Sequence, residues 1–265
     1  MANNVVAISM GQFALAYVLL LVVLLLMKRS RIEQTGLLLM ASLRMTLQLV
    51  LVGFLLQLII GDPRPLYTLA FLSAMFGFAI YRTLSTRKDL NRRFQWAVAF
   101  SIVFSGLAVV VYFILVVVGE SLFNPQYAIP LAGMIVGNAM TGITLGIKTF
   151  MESLRDNRLQ IRTLTNLGID CQTILKPFVN NALESALLPT LNSMLGMGIV
   201  FLPGMMTGQI LSGTMPATAI LYQIAIMLAI TASVCLTVFL SLNLGYRTLY
   251  NDREQFMTRE EADRA

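Results

Sequence analysis

Long apolar runs restrict this chain to a membrane fold. Of its 265 residues, 57% are hydrophobic and 12% are charged, which is about half the charged fraction of a typical soluble domain. Several runs reach the roughly 20 residues that a helix needs to cross the hydrocarbon of a bilayer. The short alternating segments that membrane β-strands require do not occur. The sequence therefore predicts an all-α polytopic membrane protein.

About seven transmembrane helices are predicted. Their approximate bounds are 5–27, 41–60, 66–82, 95–119, 127–147, 192–213 and 217–244. Basic residues concentrate in alternate connections, whereas the opposite connections contain only Arg64. Because Lys and Arg are enriched in cytoplasmic loops, we expect the N-terminus outside and the C-terminus in the cytoplasm. The net charge of +6 reflects this bias and gives no reason to expect nucleic-acid binding.

The sixth predicted span contains residues that interrupt helices. Gly196, Gly198, Pro203 and Gly204 all fall within 192–213, and proline in particular breaks a regular helix. An even number of spans with a re-entrant segment is therefore the alternative, because irregular backbone is tolerated at membrane depth only against protein or a water-filled cavity.

The chain is predicted to form one membrane domain, residues 1–250, followed by a charged cytoplasmic tail, residues 251–265. No fixed-period repeat and no low-complexity linker separates parts of it. The first apolar run is followed by basic residues and preceded by none, the reverse of a signal peptide. We expect a multi-pass protein of the cell (plasma) inner membrane.

A semi-polar segment, residues 151–190, is expected on the cytoplasmic side between spans five and six. Apolar residues recur at helical spacing at Ile161, Leu164 and Leu167. Gly168 then follows, and glycine commonly ends a helix. This part of the segment is predicted to be an amphipathic helix that stops at the glycine.

A second, short helix is predicted directly after that break. Asp170 is placed to cap it, since an aspartate oxygen accepts hydrogen bonds from the free N–H groups of a first helical turn. The helix runs through Ile174 and Leu175 to Pro177. Two helices joined by a glycine at the cytoplasmic face indicate a docking surface for a separate soluble subunit.

Two glycine-containing segments inside the membrane have two interpretations. One reads PLAGMIVGNAM at 130–140 and the other LPGMMTGQI at 202–210. In the first interpretation Gly133, Gly137, Gly204 and Gly208 are helix-packing positions, because small residues four apart let helices approach closely. In the second, broken backbone, amides and thioethers line a substrate path. The path candidates are Gln48, Asn138, Met140, Pro203, Met205, Met206 and Gln209.

Other intramembrane polar residues are weaker candidates. Arg44 lies one helical turn from Gln48 and either has a function in the membrane or extends to the cytoplasmic interface. Gln223 in the last span is a weaker pore candidate than those above. Methionine occurs 16 times, mostly as flexible packing. The cluster of Met134, Met140, Met205 and Met206 leaves open a path for a soft ion such as copper(I).

Enzyme sites are not found in the sequence. Residues 142–149, GITLGIKT, resemble a phosphate loop, but Ile147 occupies the position before Lys148 that requires glycine. Histidine is absent and cysteine occurs only as Cys171 and Cys235, so no Ser-His-Asp set and no Cys/His metal cluster is available. We expect no ATPase site and no bound cofactor in this chain, and the ligands of any metal ion are unknown.

The segments at 130–140 and 202–210 resemble signatures of the FetB/YbbM-type permeases. These are membrane subunits of small ABC exporters linked to iron efflux, with plant relatives tied to aluminium tolerance. The likeness extends over nearly the whole chain, including Arg44 and Gln48, residues 186–190 and residues 222–224. Where the coupling loop of ABC importers usually has an acidic residue and two alanines, this chain has Arg162, Thr163 and Leu164, which argues against an importer.

The resemblance implies a permease that works with a separate ABC ATPase, which would bind ATP and Mg²⁺. It also implies a homodimer in the lipid bilayer. The residues expected to couple to the ATPase are Leu164, Gly168, Asp170, Ile174, Leu175 and Pro177. Iron or another metal ion is the expected exported substrate. A larger solute such as a nucleotide sugar, and an ATP-independent carrier or channel, are the alternatives.

Overall fold

The structure is a computed structural model that describes residues 8–86 and 90–250. Within these ranges the chain is all α-helical, as predicted, apart from one isolated bridge between Met197 and Phe201. The helices are α1 (Met10–Arg29), α2 (Thr35–Gly61), α3 (Pro65–Thr86), α4 (Arg92–Tyr112), α5 (Pro125–Asp156), α6 (Arg158–Asn166), α7 (Cys171–Gly196), α8 (Gly204–Leu211) and α9 (Pro216–Gly245). A π-helical turn, Phe113–Val118, extends α4, and a 3-10 turn, Tyr246–Leu249, follows α9. The tail 251–265 and the basic residues Arg87 and Lys88 lie outside the described residues.

Six helices in the described part of the chain are long and apolar enough to cross a membrane. They are α1, α2, α3, α4 with its π-helical turn, α5, and α9 with its 3-10 turn. Each overlaps a predicted span, because in hydrocarbon a long apolar run can satisfy its backbone polar groups only by forming a helix. α5 continues past its predicted end at residue 147, as far as Asp156.

The predicted span at 192–213 is wrong as a single helix. α7 ends at Gly196 and α8 begins only at Gly204. Between them Gly198 has a φ of +82°, a left-handed conformation that glycine adopts without strain. The interruption anticipated from the glycines and Pro203 therefore lies between two helices.

The helix predicted to be short after Asp170 is also different from expectation. α7 has 26 residues and contains both Pro177 and Pro189 in its interior. A proline in a helix lacks the N–H that would bond the carbonyl four residues earlier, but packing on both sides keeps α7 continuous. Pro177 therefore does not end the helix.

The chain divides into two compact units. The first consists of the residues up to Asp62 together with the separate segment Gly208–Thr214. It contains α1 and α2, which contact each other through a 2.5 Å hydrogen bond between the Tyr17 and Thr46 hydroxyls. Ser9 begins α1 with a capping box shared with Gln12. Most side chains of this pair are apolar and exposed, as expected for helices that face lipid.

The second unit contains the hydrophobic core, formed mainly by α4, α5, α7 and α9. α5 and α9 approach closely at two glycines: a methyl carbon added at Gly142 would lie 2.6 Å from Val234, and one at Gly146 would lie 2.9 Å from Val238. On the α4 side of α9, the hydroxyl of Thr237 hydrogen-bonds to the hydroxyl of Ser105. Small residues thus fix α9 between its neighbours and position the site described next.

Candidate functional site

A cavity of about 270 Å³ lies in the second unit, between α5, α7 and α9. The chain between α7 and α8, with the start of α8, completes its wall. The lining residues are Met134, Asn138, Thr141, Gly142, Ala186, Pro189, Thr190, Ser193, Met197, Phe201, Pro203, Gly204, Met205, Gln223, Ile226, Met227 and Ile230. The cavity is therefore built where helices meet an irregular segment, a common location for ligand sites in membrane transporters.

The irregular segment has a defined geometry. Gly198 donates its N–H to the carbonyl of Phe201 at 3.0 Å, and Val200 donates to the carbonyl of Gly196 at 2.9 Å. Pro203 directly precedes α8, and its carbonyl accepts from both the N–H and the hydroxyl of Thr207, at 2.9 and 3.0 Å. Its own carbonyl is therefore used by the first turn of α8.

Gln223 is the most buried polar side chain on the cavity wall, with 6% of its surface exposed. Its Nε2 donates to Sδ of Met197 at 3.7 Å. Its Oε1 has no hydrogen-bond partner among the residues that the structure describes. A buried amide oxygen left in this way costs about 1–3 kcal/mol, and here it belongs to a side chain of the cavity wall although the oxygen itself is buried. The sequence ranked Gln223 below the other path candidates, because it stands in an otherwise ordinary apolar run.

Three other polar side chains on the wall form hydrogen bonds within their own helices. Asn138 donates through Nδ2 to the carbonyl of Met134 at 2.8 Å, and Ser193 donates to the carbonyl of Pro189 at 2.9 Å. Thr141 bonds in the same way to the carbonyl of Gly137 at 3.1 Å. These bonds use the hydroxyl donors of Ser193 and Thr141 and one N–H of Asn138, and they leave oxygen lone pairs of all three side chains as acceptors. The wall therefore offers neutral oxygen acceptors to a ligand.

The other groups on the wall that can bind a ligand are methionine thioethers and not charged side chains. Four methionines line the cavity: Met134, Met197, Met205 and Met227. Every lining residue that the structure describes is uncharged at neutral pH. Within the described ranges there is also no group of three or more His, Cys, Asp or Glu side chains that could hold a metal ion. A ligand in this cavity is therefore bound by uncharged oxygen and sulfur atoms.

Three of the seven predicted path residues lie on this wall: Asn138, Pro203 and Met205. Met140 is half-buried on α5 and packs against the core instead. Met206 lies on α8 outside the lining set. Gln48 on α2 and Gln209 on α8 belong to the first unit. Whether any of these residues contacts a substrate stays a prediction.

Among the lining residues, the sequence singled out neither Ser193 nor Met197, and Pro189 and Thr190 only within the resemblance at 186–190. Thr190 and Ser193 lie three residues apart on α7, which indicates a polar stripe on one face of that helix. That signal was hidden because the whole region was interpreted as a cytoplasmic segment followed by a different helix. Met197 carried no signal, because its position depends on the turn after α7.

The predicted glycine packing positions are mostly not packed within this chain. A methyl carbon at Gly133 would lie 3.2 Å from Met75, but one at Gly137, Gly204 or Gly208 would meet no atom within 4 Å in the described structure. The close approach of helices occurs at Gly142 and Gly146 instead. Whether a neighbour covers Gly137, Gly204 and Gly208 stays a prediction, because the spacing alone does not determine which face a neighbour covers.

The turn between α6 and α7 forms as predicted in its backbone. Gly168 has a φ of +76° after α6, and Oδ2 of Asp170 accepts from the N–H of Thr173 at 3.1 Å at the start of α7. Leu164 is half-buried against the core. The glycine break and the aspartate cap were predictable because each depends on only a few neighbouring residues.

The side chains predicted to meet the ATPase are placed differently from expectation. Ile174 and Leu175 are 4% and 0% exposed and belong to the core of the chain itself. They are therefore covered by the chain itself, and whether they couple to the ATPase stays a prediction. The exposed apolar side chains at the turn are Leu159, Leu167 and Ile169.

Comparison with known proteins places the chain in a family. A family model described as Uncharacterised protein family (UPF0014) matches residues 10–250. The UPF0014 membrane protein slr1647 of Synechocystis sp. is 31% identical over 88% of this chain and 90% of its own length. The Probable iron export permease protein FetB of Escherichia coli is 30% identical over 94% and 95%, and Protein ALUMINUM SENSITIVE 3 of Arabidopsis thaliana is 29% identical over 92% and 89%.

No solved structure matches the chain. The resemblance to FetB-type proteins, predicted from residues 130–140 and 202–210, is confirmed by these matches. Relatives named as membrane proteins and six apolar helices among the described residues identify a multi-pass membrane protein. Because the family match extends over nearly all of its length, the chain belongs to the UPF0014 family.

Proposed function

We propose that this chain is the permease subunit of an exporter that moves a metal ion across the inner membrane and is driven by a separate ATPase. The observation that carries the proposal is the cavity between α5, α7 and α9, which methionine and neutral polar side chains line inside the helical core. A relative 30% identical over nearly its full length is named a probable iron export permease. That name supports a metal ion as the class of substrate.

A separate subunit must supply the energy in this proposal. The stretch 142–149 that resembles a phosphate loop lies inside α5, whereas a phosphate loop precedes a helix so that free N–H groups face the phosphates. A homodimer contacting two ATPase subunits is the assembly that we propose, as in ABC transporters generally.

In the proposed topology α7 replaces the predicted span at 192–213. A helix of 26 residues is about 39 Å long at 1.5 Å per residue, which exceeds the roughly 30 Å of bilayer hydrocarbon. With α7 as the sixth crossing, the N-terminus is outside and the turn around Gly168 is cytoplasmic, in agreement with the bias of basic residues. The polar stripe makes α7 less apolar than the six helices that are long and apolar enough to cross a membrane.

This topology places the cavity in the outer half of the membrane. Gln223 is seven residues into α9, which begins at Pro216, and so lies about 10 Å along the axis from that end. Thr190 and Ser193 lie close to the C-terminal end of α7. Both ends are outside in the proposed orientation. A site at this depth suits an ion that leaves toward the exterior.

For the ATPase we propose a docking surface formed by Leu159, Leu167 and Ile169, here called the turn surface. Leu159 is 81% and Leu167 71% exposed, and Arg158 and Arg162 on α6 are exposed beside them. Exposed apolar side chains ringed by charge are typical of protein contacts rather than of isolated surfaces. The rigid frame under them is the core around Ile174 and Leu175.

The size of the cavity favours an ion over the alternative larger solute. Its volume is about 270 Å³, whereas sites for drug-sized ligands usually have about 300–1,000 Å³. A nucleotide sugar exceeds what this cavity accommodates without rearrangement of the helices. A partly hydrated metal ion fits.

The proposal is tested by reconstituted transport. The chain and the ABC ATPase that assembles with it are placed in proteoliposomes, and ATP-dependent movement of Fe(II), Ag(I) and Al(III) is measured separately. We expect ATP-dependent transport of at least one ion, and a several-fold lower rate for Gln223→Leu. The matched control is Met75→Leu on α3, which is half-buried but not on the cavity wall. Equal flux with and without ATP would contradict the proposal and favour a carrier or channel.

A further inference from the structure

We propose that two copies of the chain pack against each other along one exposed face of α5, and that the second copy closes the open side of the cavity. This face, here called the α5 face, is formed by Met134, Gly137, Asn138, Thr141, Lys148 and Glu152. Positions three, four and seven residues apart share one side of a helix. The inference rests on the homodimer in the proposed function and names the surface through which that homodimer forms.

Asn138 is an exposed amide inside a membrane span. It lies 13 residues after Pro125, the first residue of α5, and so about 20 Å along the helix. Its Nδ2 donates one hydrogen bond, to the carbonyl of Met134 at 2.8 Å. The second N–H and Oδ1 form no hydrogen bond with the residues that the structure describes. Polar side chains at this depth face other helices or water-filled cavities and not lipid, so a protein surface is expected against Asn138.

The exposed face of α4 shows what a lipid-facing surface of this chain is like. Near the middle of that helix the exposed side chains are Phe100, Phe104 and Leu107, which are 55%, 56% and 49% exposed. All three are apolar, as a surface in contact with hydrocarbon requires. The α5 face differs from this surface because polar side chains occupy its middle.

No other helix of the second unit covers the middle of the α5 face. A methyl carbon added to Gly137 would meet no atom within 4 Å in the described structure, and Thr141 is exposed. Asn138 and Thr141 also line the cavity. The cavity is therefore open toward the α5 face, and a helix packed there would complete its wall.

The charges of the α5 face indicate that the occupant is a second copy. Nζ of Lys148 lies 3.9 Å from Oε1 of Glu152, and both side chains are about half exposed. A two-fold axis along the membrane normal keeps every residue at its own depth and makes the same surface meet itself. Lys148 and Glu152 differ in depth by about 6 Å, so Lys148 of one protomer can pair with Glu152 of its partner, and the reverse. The surface is thus complementary to itself in charge.

The free groups of Asn138 are also complementary to themselves. An amide has both N–H donors and an oxygen acceptor, so Asn138 of one protomer can donate to Asn138 of its partner at the same depth. Hydrogen bonds of this kind between side chains stabilise contacts of membrane helices. Both features of the α5 face therefore favour a second copy over lipid or an unrelated partner.

Disulfide cross-linking in membranes tests the contact. On a background of Cys171→Ala and Cys235→Ala, a single introduced cysteine forms a disulfide within a doubled chain only when two copies bring it together, with Cα atoms roughly 4–7 Å apart. After oxidation we expect at least a fivefold higher yield of linked dimer from Thr141→Cys than from Leu107→Cys. Leu107 is the matched control, because it is exposed near the middle of α4.

A charge exchange between two tagged copies tests the self-complementarity. A dimer of Lys148→Glu chains has only acidic side chains at these positions, and a dimer of Glu152→Lys chains has only basic ones. We expect each variant to co-purify with its own kind about two- to fivefold less than the unmodified chain does, since exposed ion pairs contribute little. Co-expression of the two variants is expected to restore co-purification. Repair of the pair within one helix cannot explain this result, because each chain still has like charges at 148 and 152.

Two results would overturn the inference. One is a yield of linked dimer from Leu107→Cys that equals or exceeds the yield from a folded Thr141→Cys chain, with folding checked by thermal unfolding. The other is unrestored co-purification of the mixed charge variants. Failure of the proposed function is recognised separately, because neither experiment involves ATP or a metal ion. A dimeric mass in detergent without a link at Thr141 contradicts only the α5 face, whereas a linked dimer without ATP-dependent flux contradicts only the transport proposal.

Discussion

Gly142 of α5 faces Val234 of α9 so closely that an added methyl carbon would lie 2.6 Å from Cγ1 of the valine. Non-bonded carbon atoms do not approach to this distance, so any side chain at Gly142 displaces the Val234 side chain or one of the two helices. Gly142 is also a lining residue of the cavity. The same contact therefore holds α5 against α9 and determines the width of the candidate site.

Replacing Gly142 with alanine is expected to destabilise the chain. Overpacking of a close contact costs about 1–3 kcal/mol, which exceeds the gain of about 1 kcal/mol from alanine in a helix. Gly137→Ala on the same helix is the matched control, because its added methyl would meet no atom within 4 Å, and we expect it to unfold at the same or a higher temperature. Thermal unfolding in detergent measures both variants. Equal effects of the two substitutions would contradict the packing described for α5 and α9.

An aspartate at the turn surface is expected to remove ATPase binding without unfolding the chain. Leu167 is 71% exposed, so Leu167→Asp places a charge in water at little cost and disrupts an apolar contact with the partner. Leu175 is fully buried, and Leu175→Asp is expected to prevent folding because a buried unpaired charge is strongly unfavourable. Affinity capture of the ATPase, with unfolding temperature measured in parallel, separates the two effects. Undiminished ATPase capture by the folded Leu167→Asp and Leu159→Asp variants would refute the turn surface.

The cap of α7 is expected to contribute a modest, measurable stability. Asp170 accepts the N–H of Thr173 at 3.1 Å through Oδ2 and also the hydroxyl of Thr173 at 3.2 Å. Asp170→Ala removes both bonds and is expected to cost about 1 kcal/mol, whereas Asp170→Asn retains a capping oxygen and is expected to cost less. The free energy of unfolding, measured by denaturant titration, checks the order. Equal losses for asparagine and alanine would show that the carboxylate charge, and not the cap, stabilises the turn.

Features that depend on a few consecutive residues were predictable from the sequence. Six spans follow from uninterrupted apolar runs, and the break at Gly168 and the cap at Asp170 follow from local backbone chemistry. α7 was missed because Lys176, Asn180 and Glu184 interrupt its apolar pattern. Its polar side chains resemble those of a loop when they are read without their neighbours.

Features that depend on which helix covers which face were not predictable. Ile174 and Leu175 form an apolar face in the sequence, but nothing in the spacing tells whether the chain itself or a partner covers that face. The cavity was still harder to predict from the sequence. Met197 and Gln223 are 26 residues apart and meet only because of the turn after α7. Gln223 therefore looked like an isolated polar residue until the fold brought a thioether to it.

The proposed crossing by α7 predicts opposite sides for two exposed residues. Ile199, just after α7, is 90% exposed, and Leu159 on α6 is 81% exposed. On a background of Cys171→Ala and Cys235→Ala, we expect the Ile199→Cys variant to react with a membrane-impermeant maleimide from the outside of right-side-out vesicles. The Leu159→Cys variant is expected to react only after the vesicles are opened. If both variants react from the same side, α7 does not cross the membrane, and the chain has an even number of spans with a re-entrant segment.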